Sequence, residues 1–213
     1  MSAVIELRQY TLKPGQRDTL IDLFEREFVE TQEAEGMDVI GIFRDEADAD
    51  RFVWLRGFPD MESRAKSLAA FYGGPVWKAH RNAANATMID SDNVLLLKPA
   101  WNNSGFGSGG VRAAAETKAT SDNVVAATIC YFGAPVSGEI IEQFRTALQR
   151  DPRFLAAFVT ESAANTFPGL PVREGENVFV GISRSTDTAV PGGLQPMWIE
   201  TLRLKPTARS KLR

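Results

Sequence analysis

Two stretches of the chain spell the same order of elements, and this repetition limits the fold more than any single residue does. Val4 to Leu12 alternates with a period of two: Ile5, Leu7 and Gln9 share one face, and Glu6, Arg8 and Tyr10 share the other, as in a strand. After Lys13-Pro14-Gly15 the period lengthens. Leu20, Ile21, Phe24, Phe28 and Val29 form one apolar helical stripe that Gly36 is placed to end. Val39 to Arg44 and Phe52 to Phe58 read as a strand pair around the acidic loop Asp45 to Asp50. A helix from about Asp60 to Tyr72 breaks at Gly73-Gly74-Pro75, a second runs from Val76 to about Met88, and Val94 to Lys98 is a closing strand. Residues 1–101 thus spell β-α-β-β-α-β, the ferredoxin-like order in which helices cover one face of an antiparallel sheet.

Residues 102–121 turn to Gly, Ser, Ala and Asn without hydrophobic period and read as a flexible linker. The grammar then restarts over 122–206. Val124 to Phe132 is a strand, Ser137 caps a helix striped by Ile140, Ile141, Phe144 and Leu148, and Phe154 to Val159 pairs with Val178 to Ser183. The stretch between Ser183 and Met197 is too short and too rich in Pro and Gly for a second helix, and Trp198 to Leu204 closes the copy. Leu97-Lys98-Pro99 and Leu204-Lys205-Pro206 end the two closing strands alike, and residues 207–213 form a basic tail. The expected fold class is α+β. Two tandem ferredoxin-like modules, the second shortened, cover each other's bare sheet faces in a pseudo-dimeric barrel with helices outside and a ligand-sized cavity between the sheets.

Charge and composition narrow the functional classes. A net charge of -3, with acids and bases interleaved, supplies no basic stripe for nucleic acid. No apolar run approaches the roughly 18 residues of a membrane span, and the N-terminus enters patterned sequence with no leader, so a cytoplasmic protein is expected. Cys130, the single cysteine, sits in a strand and reads as a small buried hydrophobe. Ser210-Lys211-Leu212 resembles a peroxisomal address, but Arg213 follows it.

The opening run Ile5-Glu6-Leu7-Arg8-Gln9-Tyr10-Thr11-Leu12-Lys13-Pro14-Gly15, with Pro75-Val76-Trp77 further on, resembles the NIPSNAP group of dimeric α+β barrel proteins. The resemblance covers Val4 to Pro99; the second copy follows it in element order alone. It implies the barrel fold and a superfamily that includes cofactor-free monooxygenases, isomerases and haem proteins, while the NIPSNAP group itself has no settled activity.

Candidate site residues follow from the strand faces. If the helices cover the Ile5 and Leu7 face, Glu6, Arg8 and Tyr10 point into the barrel, where an acid–guanidinium pair orients a polar ligand and Tyr10 donates a hydrogen bond. The plainer reading is a structural ion pair. Trp54 and Arg56 share a face, and the same logic sends them inward as ligand contacts with Trp77. His80, the only histidine, is the candidate base with Tyr10 and Arg8, and the one residue through which haem would bind; otherwise no cofactor or metal is expected. Gly105 to Gly110 matches a dinucleotide-binding glycine pattern but lies in the linker rather than between a strand and a helix. No hydrolase or P-loop motif is present.

Two functional classes remain open. One is a small enzyme or binding protein holding an apolar or carbonyl-containing molecule between the sheets, as a cofactor-independent monooxygenase or isomerase does. The other is a non-catalytic interaction module with a filled barrel and an exposed apolar patch. The chain is either a monomer with an internal pseudo-dimer or a homodimer.

Overall fold

The computed structural model describes residues 2–107, 110–115, 117, 122–185 and 190–213. In the first half, β1 (Val4–Leu12) leads into α1 (Arg17–Leu23), a π-helical turn (Phe24–Phe28) and α2 (Val29–Ala34), which Gly36 ends at a positive φ of 85°. β2 (Asp38–Asp45) and β3 (Arg51–Phe58) form a hairpin whose turn is held by its own acids. Asp45 accepts from the Ala47 N–H at 2.8 Å and Asp48 from the Asp50 N–H at 2.9 Å. α3 (Met61–Gly73) starts where Asp60 accepts from the Ser63 N–H, α4 (Pro75–Thr87) carries proline in its first turn, and β4 (Met88–Pro99) is longer at its start than the sequence suggests.

The second half holds β5 (Val125–Tyr131), α5 (Gly138–Leu148), β6 (Phe154–Thr160), β7 (Val178–Ser183) and β8 (Trp198–Pro206). Between β7 and β8 the described residues contain no helix; residues 186–189 lie outside the description. The eight strands close into a barrel in the order β1-β3-β2-β8-β5-β7-β6-β4. Each half contributes its strands in the same order, fourth, first, third, second. Each seam joins a second strand to a fourth: β2 with β8 through Arg44 and Lys205, and β4 with β6 through Lys98 and Val159. The barrel closes through two seams of three residue pairs each.

The barrel interior corrects the expectation of a cavity between the sheets. Ile5, Leu7, Val53, Leu55, Leu95 and Leu97 from the first half meet Ala127, Ile129, Phe158, Val180, Ile182 and Leu202 from the second, and all are buried in one cluster. Each large side chain so buried contributes about 1.5–3 kcal/mol. The faces of β1 and β3 are therefore opposite to those expected. Ile5 and Leu7 fill the barrel, whereas Glu6, Arg8, Tyr10, Trp54 and Arg56 lie on the outer face beneath the helices. The physical reason is that α2 and α3 bring Gln32 and Arg64, polar partners that an aliphatic barrel interior lacks.

Two further stretches pack against the barrel. In the stretch read as a flexible linker, the described residues are held against the barrel. The Ser104 hydroxyl donates to the Ala157 carbonyl at 2.8 Å, Phe106 packs on Phe158, and Arg112 reaches Glu33 and the Val39 carbonyl, each at 2.6 Å. Ser108 and Gly109, part of the glycine pattern, lie outside the described residues, as do 116 and 118–121. The basic tail is also packed. The Thr207 N–H donates to the Ile42 carbonyl, Arg209 pairs with Glu30, and Lys211 pairs with Glu33 at 2.6 Å and Asp38 at 2.7 Å. Cys130 is buried beside Phe144 and Phe179, and burial pushes its thiol up to about 11, as suits a packing residue.

Candidate functional site

The polar outer face of β1 and β3 is organised around one carboxylate. Glu6 accepts from Arg8 Nη1, Arg56 Nε and Arg64 Nε, each at 2.7 Å, and all four side chains are fully buried. Burial opposes a charge on Glu6, but Arg56, Arg8 and Arg64 together hold its carboxyl well below the usual carboxylate range. Arg56 also donates to the Gln32 side-chain oxygen at 3.0 Å. Arg64 reaches Asn165 Oδ1 at 3.0 Å and the Thr166 hydroxyl at 3.3 Å. Aromatic rings flank the cations: Arg8 lies 5.6 Å and Arg56 4.9 Å from the Trp54 ring centre.

Arg8 Nε donates to the Tyr10 hydroxyl oxygen at 2.9 Å. That bond occupies an acceptor site and leaves the phenolic proton for another acceptor. Burial raises the Tyr10 phenol above its ordinary value, against the pull of Arg8, so it is a proton donor at neutral pH. Two cavities meet Tyr10. The outer one, of 340 Å³, is lined by Tyr10, Tyr72, Trp77, Met88, Phe167 and Leu170. The inner one, of 30 Å³, shares Tyr10, Tyr72, Trp77 and Met88 and adds Gln32 and Trp54 among its walls. The outer volume lies within the ~300–1,000 Å³ range of ligand pockets. A larger recess of 460 Å³ at one end of the barrel has Asp38 as its one charged lining residue, and Lys211 already pairs with it.

The π-helical turn places Phe24 and Phe28 in the wall of the inner cavity. Such turns occur frequently at functional sites because the widened helix redirects side chains. The lid comes from the other half of the chain. The connection between β6 and β7 lays Phe167 over Tyr72, with stacked rings 5.9 Å apart, while Thr166 donates to the Met61 carbonyl.

Of the residues singled out in the sequence, Tyr10, Trp54 and Trp77 line the cavities, and Glu6, Arg8 and Arg56 form the polar layer next to them. His80 stands apart. Its Nε2 is 3.5 Å from Glu27, its ring meets Phe28 edge-on, and it is not among the residues lining either cavity. Among the described residues no three His, Cys, Asp or Glu side chains gather as a metal requires. The sequence reading missed Gln32, Arg64, Asn165 and Phe167. The length of the stretch between β6 and β7 was the available signal, since loops longer than about 12–15 residues without elements of their own are usually functional.

The NIPSNAP family model matches residues 5–101, so the first half of the chain is similar to a NIPSNAP domain. Curated proteins give no match to the chain. Among solved structures, a protein of Lactobacillus acidophilus NCFM, provisionally designated a monooxygenase, is similar over 99% of this chain and 98% of its own, with 15% identity and a TM-score of 0.55. A Fusobacterium nucleatum protein with the same provisional designation is similar over 96% of this chain and 92% of its own, at 9% identity and a TM-score of 0.56. An uncharacterised NIPSNAP-like domain protein of Burkholderia xenovorans has 26% identity over 45% of this chain and 84% of its own, with a TM-score of 0.42. The two likenesses that span the chain establish the α+β barrel fold. Among the described residues no helix is long and apolar enough to cross a membrane.

Proposed function

We propose that the chain binds a flat, largely apolar, carbonyl-bearing molecule outside the barrel, between the first-half sheet and its helices, and acts on it by proton transfer through Tyr10. The observation that carries this reading is Tyr10 itself, which lines both cavities, its hydroxyl oxygen accepting from Arg8 and its proton given no acceptor among the described residues. A donor held in that way stabilises negative charge as it develops on a substrate oxygen. Cofactor-independent oxygenation and isomerisation beside a carbonyl both need that step. Trp77, Tyr72 and Phe167 supply the flat apolar walls. The provisional designation of the two full-length structural relatives agrees with the oxygenation arm.

The test is a panel of naphthols and naphthoquinones, followed by tryptophan fluorescence for binding and by oxygen uptake and product absorbance for turnover. Trp77→Ala is expected to weaken binding. Tyr10→Phe is expected to keep binding and lose about a hundredfold or more in rate. If no panel member binds, or Trp77→Ala binds as wild type does, the pocket reading is wrong.

A second reading, the interaction module, is favoured by the filled barrel together with the exposed run Met197, Trp198 and Ile199. It predicts that Trp198→Ser with Ile199→Ser changes the mass of the assembly in light scattering.

A further inference from the structure

The Glu6 cluster is over-supplied with positive charge. Three fully buried guanidiniums share one carboxylate, so positive charge in the cluster exceeds negative by two. Ions out of water are costly unless paired, and the rings of Trp54, Tyr10 and Tyr72 offset part of that cost. The hydrogen-bonding count has the same imbalance. Arg8 Nη2, Arg56 Nη2 and Arg64 Nη2 are all buried and have no partner among the described residues, and neither has Trp54 Nε1. Native proteins seldom leave such donors unsatisfied without a ligand or water to take them. Within the cluster these four unmatched groups are all donors, so an acceptor is what would satisfy them, and an anionic acceptor supplies charge as well.

The location narrows the chemistry. Arg8 and Arg56 both lie against Trp54, which lines the inner cavity, and Gln32, bonded to Arg56, lines it too. A space of 30 Å³ holds about two water-sized atoms, which suits the paired oxygens of a planar carboxylate better than a tetrahedral phosphate. Guanidinium forks match carboxylates in geometry as well as charge. The outer cavity beyond Tyr10, Tyr72 and Trp77 then receives the ring system that bears the acid.

We infer that the natural ligand is an aromatic carboxylate whose acid group reaches Arg8 and Arg56 while its rings lie between Trp77, Tyr72 and Phe167. This rests on the pocket reading above and adds an anionic group to the ligand. The experiment compares 2-naphthoate with its neutral isostere 2-naphthamide by calorimetry and by melting temperature, with chloride and inorganic phosphate as ion controls. The acid is expected to bind at least about tenfold more tightly than the amide. Arg56→Met is expected to abolish that margin. Arg56→Lys, which keeps the charge but not the fork, serves if the methionine variant does not fold, and is expected to narrow the margin.

Equal binding of acid and amide would overturn the carboxylate inference and leave the pocket standing. Failure of both to bind would overturn the pocket reading and this inference together. If chloride or phosphate raised the melting temperature as much as 2-naphthoate does, the cluster would be a site for an inorganic ion, and the aromatic acid would be ruled out.

Discussion

Glu6 is the residue on which the outer face of the first sheet depends. Replacing it by glutamine leaves three guanidiniums facing one another without a carboxylate, and removing one partner of a buried charged set costs about 3–5 kcal/mol. Chemical denaturation of Glu6→Gln should show a loss of that size. The pH dependence has a definite sign. The native carboxyl titrates well below its ordinary 4.5, so in acid the unfolded chain takes up a proton that the native chain refuses. Glu6 therefore contributes its full stability above about pH 5 and loses it progressively as pH falls below that ordinary value. The wild type is expected to lose stability with acid more steeply than Glu6→Gln, and the two slopes in urea titrations at pH 3 to 5 are the check. The alternation of β1 made it legible that Glu6, Arg8 and Tyr10 stand together and that Trp54 stands with Arg56. It did not reveal which way they point, because both faces of these strands are buried and burial alone cannot tell a barrel interior from a helix-covered exterior.

At the scale of elements, the strands and most helix limits follow from period and caps, as Asp60, Pro75 and Ser137 illustrate. The π-helical turn at Phe24–Phe28 was not legible, since its residues continue an ordinary apolar stripe and the extra residue per turn leaves no compositional mark. The β6–β7 connection was illegible for another reason. Asn165, Thr166 and Phe167 gain meaning from Arg64, Met61 and Tyr72, about a hundred residues away in sequence. Phe167→Ala removes a stacked lid and leaves the strands untouched. It is expected to weaken binding of the aromatic panel by about tenfold, mainly through faster release, with little change in melting temperature; stopped-flow fluorescence separates the two rates.

For the molecule as a whole, the duplication read from element order corresponds to a barrel in which each half repeats one strand order and both seams are built alike. The tail adds a tie that composition concealed. Residues of the basic tail pair with acids on α2 and β2, across the join between the halves. Ending the chain after Pro206 removes these pairs and the backbone bonds from Thr207 and Leu212 to β2. At about 2–4 °C per kcal/mol for a chain of this size, a lowering of the melting temperature by roughly 5–10 °C is expected in calorimetry.

The lid over the first-half pocket belongs to the second half, and the two halves are one covalent chain. In a homodimer of a single-module protein, any change in such a loop would be felt at two pockets at once. Fusion releases the halves from that constraint: one is free to specialise as the vessel and the other as its closure, and each can drift in sequence without undoing its twin.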